Sequence, residues 1–591
     1  MKRALSIFLC LGLFTISVSC SKKIADQKRY GHLSIPTTES ETETETETES
    51  SPSDMTIPPT DADPVDKNGT VELRMTILSP YKEIDDYHND IQEIITEKTG
   101  VRLHEESVSG ITEDEAIDVM IASGDLPDLL YAGAGLRDLY TEDWLVPWDD
   151  YLYKYENLRA LYTDKQWELF RQEDGHIYWA NSFDHIHGES KETLHKDFAF
   201  WIQVRVLQWA GYPLISTLDD YFTLLENYYS ANKVNEDGTP IVPFTTIASD
   251  WRYIAIESAP QLLDGYPFDG SVIVNKTDPS LPQVEDYNTT PTAKKYYQKL
   301  NEFYQKGLMP TDFDKMLYDE YIELLSTGSV LGLSDEYWDF GYTMDMIFKD
   351  KGFDKLGYTY VPLGLTIDQG TENHYHDYYA AINNLSGVAV TTACYDPDLA
   401  FSFMDMCLDQ DIQNLRFWGI EGEDYLVDSN GLFYRTDAMR ASWANDQYLA
   451  SHACTYGYLP FWKGTSDDGI NAMLPEEQTT EFFSTLPEPV LECMSAYGYT
   501  TYVDFLRSPQ EERDCWYPMM SYSNSLSAGT PAGKAFLDMQ ECKHTWIPEL
   551  VKNPKFDSTW DKYCKAYENC HPESFLQDMQ EELDRRVAND S

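Results

Sequence analysis

Hydrophobic and polar positions follow a regular order in the chain beyond residue 70. Val71–Leu78 first alternates and then becomes continuously apolar, which predicts a strand entering a core. Asp86–Thr99 has apolar residues at helical spacing, and Gly100 follows it as a C-cap. A second strand, a second helix and a third strand are predicted at Val101–Glu105, Glu113–Ser123 and Leu129–Ala132. This β-α-β-α-β order predicts an α/β lobe of the doubly wound type.

The same alternation of elements resumes further along the chain. The α/β pattern returns at Asp197–Leu207 and Thr217–Ala231, and a short strand is predicted at Val330–Leu333. Further helices are predicted at Lys294–Lys306, Tyr318–Ser326, Asp396–Leu408 and Gln410–Trp418. The last third consists mostly of helix and loop, and no internal repeat is found.

The N-terminal region has the pattern of an export signal followed by a stalk. Lys2 and Arg3 precede an apolar stretch at 4–18 that is too short for a membrane span. Cys20 then follows small residues, as in a bacterial lipobox, although Ser17 stands where Leu is usual. We expect a signal peptide over 1–19 and a lipid-anchored, disordered acidic linker over 20–69, where Glu alternates with Ser and Thr at 39–50. A simple cleaved signal with a chance cysteine is the alternative.

Charge and composition restrict the class of partner. The chain of 591 residues has 44 Lys and Arg against 101 Asp and Glu, a net charge of −57. Nucleic acid is therefore excluded as an expected partner, because phosphate recognition needs clustered cations. The body has no apolar run of membrane-spanning length, so membrane contact is expected through the lipid anchor only. Aromatic residues are abundant, with 42 Tyr, 25 Phe and 14 Trp, and they suit both cores and binding clefts.

Several segments, taken in order, resemble extracellular solute-binding protein family 1, and in particular its LipO-like lipoproteins. Phe417–Arg435 (FWGIEGEDYLVDSNGLFYR) is similar to the most specific motif of that subgroup. Met120–Leu130 (MIASGDLPDLL) and Phe200–Thr217 are similar to the helix-turn-strand of its first lobe and the helix that opens its second, although Pro213 and Thr217 are spaced differently. Shorter matches occur at Gly307–Pro310 and Leu325–Val330.

This resemblance implies a two-lobed, periplasmic-binding-protein-like fold of type II, each lobe a doubly wound sheet with helices on both faces. Lobe 1 would comprise 70–185 and 357–435, and lobe 2 would comprise 186–356 and 436–591. The implied function is that of a cell-surface lipoprotein, on the outer face of the cell membrane. It would bind a carbohydrate, expected to be an oligosaccharide, in the cleft between the lobes and deliver it to the permease subunits of an ABC importer. No catalytic residue, metal or cofactor is expected.

Binding residues are expected in loops at the carboxyl ends of strands. The loop Ser334–Phe340 would follow the strand Val330–Leu333 and offer two carboxylates and two aromatic rings, although a helix start is the alternative. The residues expected to bind the ligand are Asp335, Glu336, Tyr337, Trp338, Asp250, Trp251, Trp179, Asp184, Tyr456 and Trp462, the last two in an aromatic patch with Tyr458 in the second lobe. Trp144 and Trp148 are expected to pack under the first lobe.

Other polar motifs give weaker signals. The pairs His185-x-His187 and His374-x-His376 are expected on loops, and neither has a third metal ligand at recognisable spacing. The turn at 235–238 partly fits a calcium loop, but Lys233 stands at its first ligand position. Glu421, between glycines, is expected to hold a turn through backbone N–H groups. The eight cysteines from Cys394 to Cys570 could be paired or free.

Two other functions stay open at this level. A glycan-active enzyme needs only two facing carboxylates, which counting cannot exclude in so acidic a chain. An adhesin or sensor without a transport role would also suit a stalked α/β body. No G-x-S-x-G, H-E-x-x-H or Walker-type loop is present to favour a named enzyme class.

Overall fold

A computed structural model describes residues 65, 69–78, 89–108, 113–183, 185–269, 272–278, 281–376, 382–509, 514, 516–523 and 525–590. The expected signal peptide, Cys20 and nearly all of the acidic linker lie outside these residues. No helix among them has the length and apolar character needed to cross a membrane.

The strands are short, and nine of the fifteen in the described residues form two main sheets, while the other six form three pairs. They are β1 (Val71–Ile77), β2 (Val101–Ser107), β3 (Leu129–Ala132), β4 (Trp179–Ala180), β5 (His185–His187), β6 (Phe198–Gln203), β7 (Val242–Thr245), β8 (Ile273–Asn275), β9 (Gln283–Glu285), β10 (Val330–Glu336), β11 (Tyr360–Leu363), β12 (Gly387–Val390), β13 (Leu426–Val427), β14 (Phe433–Tyr434) and β15 (Trp462–Gly464). The first sheet has the order β2-β1-β3-β12-β4, and the second has the order β11-β6-β10-β7.

Helices cover the sheets and dominate the C-terminal part. In the first half they are Asp90–Thr99, Glu113–Ser123, Leu136–Thr141, Asp149–Leu152, Glu156–Ala160, Asp164–Trp167, Val204–Trp209, Leu218–Ala231, Ile254–Glu257, Ala259–Leu263 and Pro291–Gln305. In the second half they are Tyr318–Ser326, Tyr337–Lys351, Pro397–Met406, Gln410–Phe417, Asp437–Trp443, Asp446–His452, Thr479–Thr485, Glu488–Tyr497, Val503–Leu506, Met520–Ser523, Pro531–Lys552, Phe556–Glu568 and Pro572–Asp590. Single 3-10 turns lie at Glu168–Phe170, Asp250–Tyr253, Asp354–Leu356 and Pro475–Glu477.

Local sequence signals explain the first lobe well. The helix Asp90–Thr99 begins where the Asn89 side chain accepts a hydrogen bond from the Gln92 N–H at 2.9 Å. It ends at Gly100, whose φ of 72° is the left-handed conformation that glycine adopts without strain. β1 pairs in parallel with β2 and β3. The predicted β-α-β-α-β order is therefore confirmed.

Two separate hydrophobic cores lie on the two sheets. The first core contains Leu73, Leu130, Trp148 and Val388, and the second contains Trp201, Tyr221 and Leu333. β6 (FAFWIQ) is buried at every position, as expected for a strand covered on both faces. The two-lobed α/β architecture expected from the sequence is thus present.

The cores divide the chain differently from the expected lobe boundaries. β11 lies in the expected range of lobe 1, but it hydrogen-bonds to β6 in the second sheet, from Tyr360 opposite Gln203 to Leu363 opposite Phe200. Residues 456–474, expected in lobe 2, contribute Tyr456, Trp462 and Leu474 to the first core. The physical reason is that the chain crosses between the sheets after β11 and again after Leu474, at positions that hydrophobic periodicity does not mark.

Candidate functional site

The topology brings the carboxyl ends of both sheets toward each other. Because β12 runs antiparallel to both β3 and β4, β4 runs parallel to β3 and ends at the same edge as β1 and β2. From that edge the segment 181–197 crosses to the start of β6, which lies beside the carboxyl end of β10. The segment 364–386 returns from the carboxyl end of β11 to the start of β12. Ligands of open α/β sheets bind at such edges.

The strand-helix junction at residues 335–338 was expected to be a binding loop, and the structure corrects this. β10 continues to Glu336, which lies opposite Phe198 of β6, and the helix Tyr337–Lys351 begins at the next residue. The hydrogen-bonded pairing with β6 holds the chain extended for three residues beyond the predicted strand end. The alternative of a helix start was therefore the better prediction.

Asp335, Glu336 and Tyr337 are buried and engaged inside the second lobe. The Asp335 carboxylate accepts a hydrogen bond from the Tyr321 hydroxyl at 2.8 Å and from the Glu336 N–H at 2.8 Å. The Tyr337 hydroxyl donates to Asp345. Burial, followed by the neighbouring Asp339, raises the pKa of Asp335 well above its usual range. These groups hold the junction rather than offering acceptors to a ligand.

Trp338 is the exposed member of the junction. Its side chain is 42% exposed and hydrogen-bonds to Glu336, a contact that opposes the effect of burial on the pKa of that carboxyl group. The backbone N–H of Trp338 donates a hydrogen bond to the backbone carbonyl of Lys196, which precedes β6. Tyr342 lies one helical turn later and is 45% exposed. Trp338 and Tyr342 thus present two aromatic rings on one helix face at the carboxyl end of β10.

A cavity of about 360 Å³ lies in the second lobe, beside the returning segment 364–386. Its described lining consists of Gly265, Tyr266, Pro267, Asp269, Val272, Ile273, Val274, Asn275, Lys276, Thr277, His374, His376, Pro509, Asp514, Trp516 and Tyr517. The volume lies within the range of about 300–1,000 Å³ that is typical of small-molecule sites. Aromatic faces and groups that donate or accept hydrogen bonds therefore share one concave surface.

Hydrogen bonds fix the walls of this cavity. The Tyr517 hydroxyl donates to the Phe268 carbonyl at 2.6 Å. The buried Asp269 carboxylate accepts from the backbone N–H groups of Met519 and Met520, at 3.0 and 2.5 Å. Phe268 and Asp269 on one side of the cavity are thereby tied to Tyr517, Met519 and Met520 on the other.

His376 connects the cavity to a charged cluster on the crossing segments. Its Nε2 lies 3.5 Å from the Glu192 carboxylate, and Lys463 Nζ lies 4.0 Å from the same carboxylate. Glu192 belongs to the segment 181–197, His376 to 364–386, and Lys463 precedes the third crossing. Burial, opposed by Lys463, raises the pKa of Glu192 to about 8. Two of the crossings and the strand β15 therefore each contribute a titratable group to one place.

A second ion pair adds to the group formed by Glu192, His376 and Lys463, which we call the crossing cluster. Lys196 Nζ lies 2.7 Å from the Glu476 carboxylate. Although burial opposes both charges, this contact raises the pKa of Lys196 and lowers the pKa of Glu476. Lys196 also hydrogen-bonds to the Tyr342 hydroxyl. The exposed aromatic face of the second lobe is thus linked to the crossing cluster.

The other expected binding residues do not converge on this place. Trp179 is 4% exposed, and its indole N–H donates to the Asn384 carbonyl at 3.0 Å. Tyr456 and Trp462 are buried in the first core, which corrects their expected place in the second lobe. Trp148 is buried in that core and Trp144 packs against it, as expected. Burial of these large rings stabilises the lobe and leaves little surface for a ligand.

Three other residues expected to bind the ligand are Asp250, Trp251 and Asp184. Asp250 and Trp251 form the start of the 3-10 turn Asp250–Tyr253, five residues beyond the last residue of β7. That backbone position agrees with a place at the carboxyl end of a strand. Asp184 lies outside the described residues.

The aromatic residue Tyr458 has a different environment from its neighbours in the patch. It is half-buried and packs edge-on against Tyr131 of β3, with ring centroids 4.6 Å apart. Phe183, which follows β4, contacts both rings at 5.9 and 5.6 Å. Partly exposed aromatic rings therefore also lie at the carboxyl edge of the first sheet.

The remaining polar motifs are structural. His185 and His187 lie on β5 rather than on a loop, and their rings contact the carbonyls of Asn181 and Thr465 at 2.8 and 2.7 Å. The turn after Gly419 is held by Asp424, which accepts from the Ile420 N–H at 2.7 Å, whereas Glu421 is exposed. The backbone-binding role expected of Glu421 therefore belongs to Asp424.

A guanidinium group stands beside the turn that partly fits a calcium loop. Arg205 donates to Asn235 Oδ1 at 2.9 Å, to Gln203 Oε1 at 2.7 Å and to the Gly328 carbonyl at 2.9 Å. Its charge also lies 3.9 Å from the centre of the Tyr358 ring. The side-chain oxygen of Asn235 is thus engaged by a permanent cation of the protein itself.

Among the described residues, no group of three or more His, Cys, Asp or Glu side chains is arranged to hold a metal ion. Six cysteines of that part of the chain, Cys394, Cys407, Cys493, Cys542, Cys564 and Cys570, are free thiols, and Cys407 and Cys493 are buried. Burial raises the pKa of both thiols to about 12, so they are poor nucleophiles.

Sequence analysis did not identify Tyr266, Trp516 or Tyr517 as binding residues. They lie in irregular segments whose hydrophobic pattern carries no period. The one local signal was an aromatic residue next to proline, in Tyr266-Pro267 and Tyr517-Pro518. Such pairs occur in many loops, so only the proximity of Tyr266, Trp516 and Tyr517 in the folded chain distinguishes these residues.

Comparisons with known proteins agree on the fold. No family model and no curated protein matches the chain. Among solved structures, the ABC-transporter substrate-binding protein FusA of S. pneumoniae in complex with kestose has a TM-score of 0.59 at 18% identity, covering 88% of this chain and 100% of that chain. An HMO-binding, ABC-transporter-associated solute-binding protein from Bifidobacterium longum infantis has a TM-score of 0.58 at 12% identity, covering 87% and 99%. The alginate-binding protein AlgQ2 has a TM-score of 0.56 at 17% identity, covering 87% and 98%. The chain therefore has the two-lobed fold of solute-binding proteins.

Proposed function

We propose that this protein binds a saccharide in the cavity beside the crossing segments and delivers it unchanged to an ABC importer. The cavity is the observation that carries the proposal, because it combines the aromatic residues Tyr266, Trp516 and Tyr517 with Asn275 and His374. Sugars have apolar C–H faces and a rim of hydroxyls, and these two kinds of group match them. The solved structures of the same fold include proteins named as binding kestose and alginate.

The energetics of such a site are adequate. An aromatic contact contributes about 0.5–1.5 kcal/mol beyond the area that it buries. A hydrogen bond to a charged acceptor contributes about 1.5–3 kcal/mol. Two of each contribute about 4–9 kcal/mol in addition to the apolar area that the ligand buries, and a micromolar Kd corresponds to about −8 kcal/mol.

Cellular placement forms part of the proposal. A lipid anchor on Cys20 and an acidic stalk would hold the binding lobes at the outer face of the cell membrane, where an importer's permease can receive the ligand. Incorporation of a palmitate analogue into the full-length protein, and its loss in Cys20→Ser, would support the anchor. Equal labelling of both proteins would contradict it.

Thermal shift against a library of plant and host oligosaccharides tests the binding function. A ligand that binds only the native state raises Tm by mass action, so at least one saccharide should raise Tm in a concentration-dependent way. The best ligand is then titrated calorimetrically against Tyr266→Ala, which should weaken binding by about tenfold or more. Tyr153→Ala is the matched control, because Tyr153 is 72% exposed in the first lobe.

The same samples separate binding from catalysis. Chromatography of the saccharide after prolonged incubation should recover it intact. Cleavage would favour the glycan-active enzyme, and the lack of any Tm rise across the library would contradict the proposed function and favour an adhesin or sensor.

A further inference from the structure

Two aromatic residues of the cavity, Trp516 and Tyr517, lie on an irregular segment whose backbone polar groups need partners outside a helix or sheet. The carbonyl groups of Trp516 and Pro518 both accept hydrogen bonds from Arg586 Nη1, each at 2.7 Å. Arg586 Nη2 donates to Ser521 Oγ at 3.1 Å. One guanidinium group therefore holds three positions of the chain beside these two rings.

The position of Arg586 is itself fixed. It lies in the helix Pro572–Asp590, and its Nε donates to the carboxylate of Glu582, one turn earlier on that helix, at 2.6 Å. Both side chains are buried. The helix is anchored in the second core by the fully buried side chains of Phe575, Met579 and Leu583. The planar guanidinium group thus transmits the position of this helix to the aromatic segment, because it binds a carboxylate and two carbonyls at once.

The same helix supports a second part of the cavity lining. The side chain of Gln580 accepts a hydrogen bond from the Val284 N–H at 2.7 Å and donates to the Pro282 carbonyl at 3.2 Å. Val284 belongs to β9, which pairs with β8. The residues of β8 that line the cavity are Ile273, Val274 and Asn275. Two stretches of lining that are far apart in sequence therefore share one support.

We infer that Arg586 is a positioning residue of the saccharide site. From the helix Pro572–Asp590 it holds Trp516 and Tyr517 in the arrangement that the ligand meets, and it acts through these rings rather than by contact with the sugar. This inference rests on the proposed function and deepens it by naming a residue that prepares the site.

The segment should stay attached to the lobe when Arg586 is altered. Asp269 accepts hydrogen bonds from the backbone N–H groups of Met519 and Met520, and the Tyr517 hydroxyl donates to the Phe268 carbonyl. Loss of the guanidinium group should consequently change the orientation of the rings without unfolding the lobe.

Calorimetric titration of Arg586→Lys with the best saccharide of the library tests this role. Lysine keeps the charge, but its single ammonium group cannot reach Glu582 and both carbonyls together. At a temperature where circular dichroism shows the variant to be fully folded, Kd should rise by about fivefold or more. A site that is correctly arranged for only about a fifth of the time binds its ligand that much more weakly.

Arg585→Lys is the matched control. Arg585 pairs with the same carboxylate of Glu582 at 2.6 Å, but its side chain is 59% exposed. The substitution changes the same chemical group on the same helix, and Kd should change by less than about twofold, because exposed ion pairs contribute little.

A spectroscopic signature separates positioning from a general loss of stability. In protein labelled with 5-fluorotryptophan, the fluorine resonance of Trp516 is identified by its loss in Trp516→Phe. In the unliganded protein this resonance should shift or broaden in Arg586→Lys and stay in place in Arg585→Lys.

The outcomes are distinguishable. An unchanged Kd in Arg586→Lys, an equal rise in both arginine variants, or an unmoved Trp516 resonance would overturn the inference and leave saccharide binding by the wild-type protein intact. If Arg586→Lys does not fold, Ser521→Ala decides by the same criteria, because it removes one contact of Arg586 and keeps the ion pair with Glu582; its Kd should rise by about twofold. A wild-type protein that binds no saccharide would remove the proposed function, and the positioning role with it.

Discussion

Neighbouring side chains at the end of β10 have opposite environments. Asp335 is 1% exposed and accepts hydrogen bonds from Tyr321 and from the backbone, whereas Trp338 is 42% exposed. β10 is buried at all seven of its positions, so the contrast arises where the helix begins and its first turn places Trp338 on the outer side. Sequence reasoning could identify the residue types, but not which of them faced inward.

Asp335→Ala should therefore affect stability rather than binding. Removal of the acceptor leaves the Tyr321 hydroxyl without this partner, which should lower the free energy of unfolding by roughly 1–3 kcal/mol. Chemical denaturation measures the change. The control is Asp350→Ala, on the exposed face of the helix Tyr337–Lys351 that follows β10. A large loss of ligand affinity without destabilisation would instead assign Asp335 to the binding surface.

Trp338→Ala should affect binding if the ligand extends from the cavity to the carboxyl edge of β10. We expect the Kd to rise by about tenfold, since truncating an exposed aromatic contact costs on the order of 1–2 kcal/mol. Trp338→Phe should retain most of the affinity, because it keeps an aromatic face. The control is Trp209→Ala, because Trp209 is 48% exposed on another helix of the same lobe. An unchanged Kd in Trp338→Ala would confine the ligand to the cavity.

At the scale of elements, the turn at 235–238 depends on Arg205 for its cation. The guanidinium group satisfies Asn235, Gln203 and Gly328 together, so no external ion is needed there. Arg205→Ala should lower Tm by on the order of 2–5 °C, because Asn235 and Gln203 lose this donor and Gly328 keeps only the hydrogen bond from Gln203. Calorimetry in the presence of EDTA should leave the wild-type Tm unchanged, and a fall in Tm on chelation would contradict this account.

The crossing cluster should make stability depend on pH through Glu192. Burial raises the pKa of Glu192 to about 8, so the native state holds a proton that the unfolded chain releases near 4.5. The free energy of unfolding should consequently fall as the pH rises between those two values. Glu192→Gln carries no such proton, so its stability should decline less steeply from pH 5 to pH 9. Parallel pH profiles for the two proteins would contradict the assigned pKa.

Periodic elements were predictable and irregular ones were not. Glu113–Ser123, Leu129–Ala132 and Tyr318–Ser326 match their predicted limits because capping and hydrophobic spacing define them locally. β10 ran three residues beyond its predicted end because its pairing with β6, more than a hundred residues away, decides where it stops. The described residues that line the cavity come from stretches far apart in sequence, around Tyr266, His376 and Trp516, and no local pattern encodes their proximity.

At the scale of the whole molecule, the segments that cross between the two sheets start and end at the carboxyl edges of those sheets. Partly exposed aromatic rings lie at both edges, Tyr131 and Tyr458 in the first lobe and Trp338 and Tyr342 in the second. The crossing cluster of Glu192, His376 and Lys463 includes residues of two segments that connect the lobes, and its member His376 also lines the cavity. A ligand in the cavity therefore lies beside the segments that would move if the angle between the lobes changed.

The crystal structure of the protein with its best saccharide tests the central claim most directly. We expect the sugar to occupy the cavity, with one ring against Tyr266, Trp516 or Tyr517 and hydroxyls directed at Asp269, Asn275 or the two histidines. A saccharide bound elsewhere, with the residues around Tyr266, His376 and Trp516 empty of ligand, would contradict the account.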